Sequence, residues 1–200
     1  MKITMSCLLC WAAVSLPAYA GTASIQVQDE RGKPLPDAVV FLESREAKLL
    51  SRPIQGAEIA QINRQFVPSV LVVPTGTSVT FPNRDTVRHH VYSFSNTKKF
   101  ELKLFAGTPA NPVVFDRPGI AVLGCNIHDN MAAWVVVVDT PFYARSDALG
   151  FASLVDVPAG NYRLRVWHSH LAVGTPATEQ ALTVLAANTS VSVRLTGLTP

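Results

Sequence analysis

The stretch Gly124-Cys125-Asn126-Ile127-His128-Asp129-Asn130-Met131 sets a thiol, an imidazole and a thioether at the spacing Cys-x2-His-x2-Met. All three are soft or borderline donors, and with a second imidazole they make a set that suits copper. Hydrophobic strands are expected on both sides, from Gly119 to Leu123 and from Ala132 to Val138. The residues between them then form a tight loop whose three side chains can converge on one ion. Cys125 and His128 also admit a reading as nucleophile and base. They stand close together in one loop, with no separately placed acid to orient the imidazole, which argues against that pairing. The sequence carries no paired carboxylates, Gly-rich phosphate loop or metalloprotease helix motif. Catalysis is not expected.

The chain of 200 residues opens with Lys2, a mostly apolar run from Leu8 to Leu16, and the small-x-small tripeptide Ala18-Tyr19-Ala20. Residues 1–20 therefore read as a secretory signal peptide cleaved after Ala20, too short for a spanning helix. Leu9, where a lipoprotein signal needs a small residue, precedes Cys10. The mature chain is expected in the periplasm, with no membrane span. Without Lys2 it keeps 16 basic and 14 acidic side chains, a net charge of +2. That is no footprint for nucleic acid. Cys7 and Cys10 leave with the signal, so Cys125 becomes the single thiol. A lone thiol in an oxidising compartment is a hazard unless something occupies it, and a metal would do so. A buried, inert cysteine is the plainer alternative.

Strands are expected at Ala23–Val27, Asp37–Leu42, Val70–Val73, Val79–Phe81 and Val87–Phe94. Further strands are expected at Phe100–Phe105, Pro112–Phe115, Ile120–Leu123, Ala132–Val138, Tyr143–Arg145, Phe151–Leu154 and Tyr162–Trp167, with two more in 181–185 and 189–195. Gly and Pro turns separate them, at Gly32-Lys33-Pro34, Pro74-Thr75-Gly76 and Val157-Pro158-Ala159-Gly160-Asn161 among others. One short helical turn fits Ser44–Leu50. The pattern is all-β, of the sandwich type. Period two from Val87 puts His89 on the face of Val87 and Val91, and His90 on the other. His168 and His170 also alternate onto one face, which could hold a second metal or be ordinary surface. Arg84-Asp85 and Lys98-Lys99 read as turn charges, with a docking role as the alternative.

Phe66-Val67-Pro68-Ser69, Gly76-Thr77-Ser78-Val79-Thr80-Phe81-Pro82-Asn83, His89-His90-Val91 and the Cys125 loop together resemble the cupredoxins. The first half is similar to plastocyanin, and the short ligand loop to amicyanin. The resemblance covers about residues 55–139 and implies a Greek-key β-sandwich with one type 1 copper ion. It implies His89, Cys125 and His128 as strong ligands and Met131 as the weak axial one. The family commonly has Asn after its first ligand, lacing the two ligand loops together, where this chain has His90. Asp129 directly after His128 is a second departure. Residues 22–46 and 140–200 resemble the two halves of a carboxypeptidase regulatory-like (transthyretin-like) domain. The likeness rests on Val27-x-Asp29-x-x-Gly32-x-Pro34 and on Ser146-Asp147-x-x-Gly150 with Val157-Pro158-Ala159-Gly160-Asn161-Tyr162. These segments imply a second small β-sandwich split around the first; the competing layout gives 22–46 to the copper domain.

The resemblance implies a carrier of single electrons between redox partner proteins. The alternative is a copper-binding carrier or accessory module without redox turnover, and the third is the fold with an empty site.

Overall fold

A computed structural model describes residues 20–199, so the signal peptide expected at the N-terminus lies outside the described residues apart from Ala20. Apart from one short helix, the regular structure is β. The first half runs β1 (Ala20–Gln28), β2 (Val39–Glu43), α1 (Arg45–Leu50), β3 (Ala57–Glu58), β4 (Ala60–Ile62), β5 (Gln65–Val67), β6 (Val70–Pro74) and β7 (Thr77–Thr80). Then come β8 (His89–Phe94), β9 (Lys99–Phe105), β10 (Val113–Phe115), β11 (Gly119–Gly124) and β12 (Ala132–Val138). The chain ends with β13 (Tyr143–Arg145), β14 (Phe151–Pro158), β15 (Gly160–Trp167), β16 (Thr178–Val184) and β17 (Thr189–Arg194).

Strands from the two ends of the described chain share two sheets. β1 lies between β14, antiparallel, and β17, parallel; β2 lies between β13 and β15, with β16 beyond. Ile25 and Val27 from one sheet meet Val40, Leu42, Leu164 and Val166 from the other in one core. The strands between build a sheet of order β6-β12-β11-β8-β9 and a smaller one of order β10-β7-β3. Phe81, Val91, Phe115, Leu123, Val135 and Val137 fill the core of this part.

A third cluster joins the two parts, and it explains the two most apolar strands. In β12, Ala133, Val135 and Val137 point into the core around Phe81, whereas Val136 and Val138 meet Val39, Phe41 and Trp167. In β2, Val40 and Leu42 point the other way. A strand buried on both faces loses the polar half of its alternation and becomes a continuous apolar run. Trp134 on β12 stacks near Trp167, ring centroids 6.2 Å apart, across the same seam.

Two expected features differ in detail. The turn expected over Val157–Asn161 shrinks to Ala159, because β14 continues through Pro158 and β15 begins at Gly160. Tyr162 closes that corner by donating its hydroxyl to the Pro158 carbonyl at 2.8 Å. β8 starts at His89, so Val87 stays outside the core while His89 and Val91 are fully buried. The helical turn forms as α1, capped where the Ala47 amide donates to Ser44 Oγ at 3.0 Å. Lys48 then reaches Asp139, just past β12, at 2.7 Å, and Thr75 Oγ1 donates to the same carboxylate at 2.6 Å.

Gly150 has φ +78° and leads into β14, and a Cβ there would stand 2.5 Å from the Val27 carbonyl oxygen. Backbone cannot yield as a flexible side chain can, and the left-handed conformation adds its own strain. Gly150→Ala is expected to cost about 1–3 kcal/mol, read as a lower midpoint in urea unfolding. Burial pushes the Asp139 carboxyl up, but the bonds from Lys48 and Thr75 and the Lys48 charge outweigh it and hold the pKa below its ordinary value. Its stabilisation is complete above the unfolded value of about 3.9 and is lost as pH falls through the lower folded one. The parent should therefore exceed Asp139→Asn in urea stability at neutral pH by a small margin, since Lys48 is exposed. That margin should vanish as the solution is acidified below about pH 4.

Candidate metal centre

Cys125 follows the last residue of β11, and Met131 precedes the first of β12. The ladder between these strands runs without a break to Gly124 opposite Ala132, so both ends of the intervening loop are fixed by backbone pairing. The Met131 amide donates to the His128 carbonyl at 3.0 Å, closing a turn between the imidazole and the thioether. Gly124 is required for a different reason. Tyr92 on β8 lies across it, and a Cβ there would meet the ring and its hydroxyl at 2.7 Å.

His89 comes from the neighbouring strand β8 and is fully buried. One donor atom each from His89, Cys125 and His128 falls within 4.8 Å of the others. Cys125 Sγ is 3.9 Å from His89 Nδ1, and the two imidazole rings are tilted at 56° with centroids 5.1 Å apart. Cys125 is 5% exposed and is a free thiol. Met131, 2% exposed, packs in the same core cluster as Cys125. His128 is half-buried, and its Nδ1 is a buried atom with no hydrogen-bond partner. Buried polar atoms are paired in the great majority of cases, so an unpaired nitrogen beside a thiol and a second imidazole invites an electrophile. The donor set of one sulfur and two imidazoles fits copper or zinc in type, and the nearby thioether favours copper.

The second nitrogen of His89 is also engaged. Asp85 Oδ2 lies 2.7 Å from Nε2. Burial pushes the Asp85 carboxyl up, but backbone N–H donors of Arg64 and Asn63 and the imidazole outweigh it and hold the pKa below its ordinary value. An ionised carboxylate only accepts, so Nε2 carries a proton toward Asp85, and Nδ1 is the ring nitrogen that faces the sulfur. The sequence reading made Asp85 a turn charge. Its position four residues before a candidate ligand was visible, but the fold that turns its side chain back was not. Its neighbour Arg84 does behave as a surface charge, paired with Glu58 at 2.6 Å, as does Lys98 with Asp116 at 2.9 Å.

His90 points away from the donors. Its Nδ1 is 3.3 Å from Asn126 Nδ2, and its ring meets Tyr92 edge-on at 5.9 Å. It thus links β8 to the loop through Asn126. His168 is buried, with Nε2 3.2 Å from the Pro36 carbonyl and Nδ1 accepting from the His170 amide at 3.1 Å. Both its nitrogens are committed to backbone, and burial with the His170 charge pushes its pKa below the ordinary value. A second metal site there would have to break both bonds. A cleft of about 1490 Å³ is lined by Tyr92, Trp134, Arg165 and Trp167 among others. Cys125 and Met131 reach its wall, but His89 and His128 do not, so the donors converge on one another and not on that cleft.

The sequence matches no described family profile, and no curated protein is significantly similar to it. Solved structures do align. A purple cupredoxin from Nitrosopumilus maritimus is 26% identical over 41% of this chain and 99% of its own, with a TM-score of 0.37. A copper-containing nitrite reductase from Thermus scotoductus SA-01 is 22% identical over 46% of this chain and 26% of its own, with a TM-score of 0.39. A reduced variant of amicyanin is 22% identical over 50% of this chain and 98% of its own, with a TM-score of 0.38.

Proposed function

We propose that the chain is a type 1 copper protein that carries single electrons between redox partners. The observation that carries this reading is the meeting of Cys125 Sγ, His89 and an otherwise unpaired His128 at the edge of an apolar core. His89 would bind through Nδ1, its proton held on Nε2 by Asp85. Cys125 would supply the thiolate, His128 the second imidazole, and Met131 a weak axial thioether. Bound to such a set, copper supplies one-electron chemistry between its two common oxidation states. The apolar cluster around Cys125 and Met131 keeps water from the donors. His128 is the donor with an exposed side, beside Ile127, itself 48% exposed, so a partner protein would approach there.

The same reading places residues 55–139 as the copper domain and residues 22–46 with 140–200 as a second β-sandwich split around it. The pairing of β1 with β14 and β17, and of β2 with β13 and β15, supports that division. Periplasmic location rests on the signal-like residues 1–20. Among the described residues no helix is long and apolar enough to cross a membrane.

The visible spectrum of the mature chain loaded with Cu(II) is the test. An intense thiolate-to-copper band in the orange-red is expected, abolished in Cys125→Ala and retained in His90→Ala. A colourless protein that holds Cu(I) and passes it to a chelator would replace electron transfer with copper delivery. If His90→Ala removed the band while His89→Ala kept it, the ligand register along β8 would be wrong.

A further inference from the structure

We infer that the tip of the β4–β5 hairpin is a positioning device for His89, acting through Asp85; the inference deepens the metal-site reading and rests on it. The hairpin turn is Asn63-Arg64, since Ile62 pairs with Gln65. Its two amides bind the two oxygens of one carboxylate. The Asn63 amide donates to Asp85 Oδ1 at 2.6 Å and the Arg64 amide to Oδ2 at 2.9 Å. Oδ2 is the same oxygen that stands 2.7 Å from His89 Nε2. One atom therefore joins the turn to the candidate ligand.

The turn carries a conformational cost that this contact accounts for. Asn63 has φ +53° and Arg64 φ +58°. Both central residues of a two-residue hairpin turn of this type need positive φ, and the second is ordinarily Gly. Arg is a poor choice for that region. Two successive left-handed residues aim adjacent amides the same way, and two charge-assisted bonds to one carboxylate offset the strain. The arrangement persists because Asp85 holds it.

Asp85 in turn has no slack. The Arg84 amide donates to the Gln61 carbonyl, and the Gln61 amide to the Pro82 carbonyl, each at 2.9 Å. The Asp85 amide donates to Asn83 Oδ1 at 2.9 Å, while Asn83 Nδ2 donates to the carbonyls of Val87 and Phe105. Residues 82–87 are thus laced to β4 on one side and to the end of β9 on the other. A rigid carboxylate on the far nitrogen fixes an imidazole's tautomer and plane and makes its near nitrogen a stronger donor. The ring of His89 is thereby set by a hairpin outside the Cys125–Met131 loop, and its geometry does not depend on that loop being filled.

The test separates the clamp from the metal reading by using two readouts. In the metal-free chain labelled with nitrogen-15, His89 should show the Nε2–H tautomer with a downfield proton protected from exchange. Asp85→Asn should shift that proton upfield and speed its exchange, because an uncharged amide with one acceptor oxygen replaces a carboxylate that serves three N–H donors. Arg64→Pro touches no ligand but removes one amide donor and, with φ fixed at about −65°, cannot hold the turn at the φ +58° of Arg64. It should therefore shift or lose the signal, whereas Arg64→Gly, which keeps the amide and suits positive φ, should match the parent. With Cu(II), Asp85→Asn should bind about 10- to 100-fold more weakly, Arg64→Pro should weaken in the same direction, and Arg64→Gly should not. A folded Arg64→Pro with the parental His89 signal and copper affinity would overturn the inference. So would an Arg64→Gly chain that behaves like Arg64→Pro. If the proton signals behave as stated while the parent binds no copper, the clamp stands and the metal reading falls.

Discussion

The pairing of Gly124 with Ala132 is the constraint on which the site depends. It brings the ends of a loop holding a thiol, an imidazole and a thioether to the spacing of one ladder rung, so the three side chains have little room to diverge. That rung is held by the burial of its strand. Ala133, Val135, Val136, Val137 and Val138 are each at most 2% exposed. At about 1.5–3 kcal/mol for each fully buried valine, β12 is among the last elements that would release. The loop is thus a short closure on a rigid base, and rigid bases give more precise sites than long loops do.

Burial of β12 on both faces also ties the second sandwich to the donor loop. One face of the strand belongs to the core that takes in Cys125 and Met131, and the other to the seam with β2 and β15. A change of packing at Trp167 or Phe41 therefore acts on the strand that begins one residue after Met131. The salt bridge from α1 to Asp139 anchors the other end of the same strand from the same side. The flanking segments thus support the strand that follows the donor loop, and bring no donor of their own to the cluster.

The all-β class, and the position of most strands, were legible because they depend on local pattern. Alternation in β1, apolar runs in β2 and β12, and Gly or Pro between strands can all be read without knowing what packs where. The Cys-x2-His-x2-Met spacing was legible for the same reason. The β4–β5 hairpin was not, since its turn lacks the Gly that such turns advertise, and its strands are too short to show a period. Asp85 was hidden with it, because the amides that bind it belong to residues some twenty positions earlier. Val87 misled because the periodicity argument extended the strand by two residues. β8 begins only at His89, and a register shift against β9 between His89 and Val91 breaks the simple alternation.

His89 and Cys125 lie 36 positions apart, and the contact between them exists only once β8 and β11 share a sheet. Their preorganisation is therefore a property of the folded state, and the two halves of it have different owners. The ring of His89 is held by Asp85 and the hairpin, within the segment before β8. Cys125 and His128 are held by the β11–β12 ladder, after it. On the metal reading, an ion that joins the two halves binds the native chain and not the unfolded one, so occupancy adds to stability by mass action. The addition falls between the two groups of donors, whose side chains are joined by a long sulfur–nitrogen contact and by the contact of Asn126 with His90, beside the pairing of β8 with β11. A donor set assembled from two independently rigid halves changes little in shape when filled, and small rearrangement between states is what a site for one-electron exchange requires.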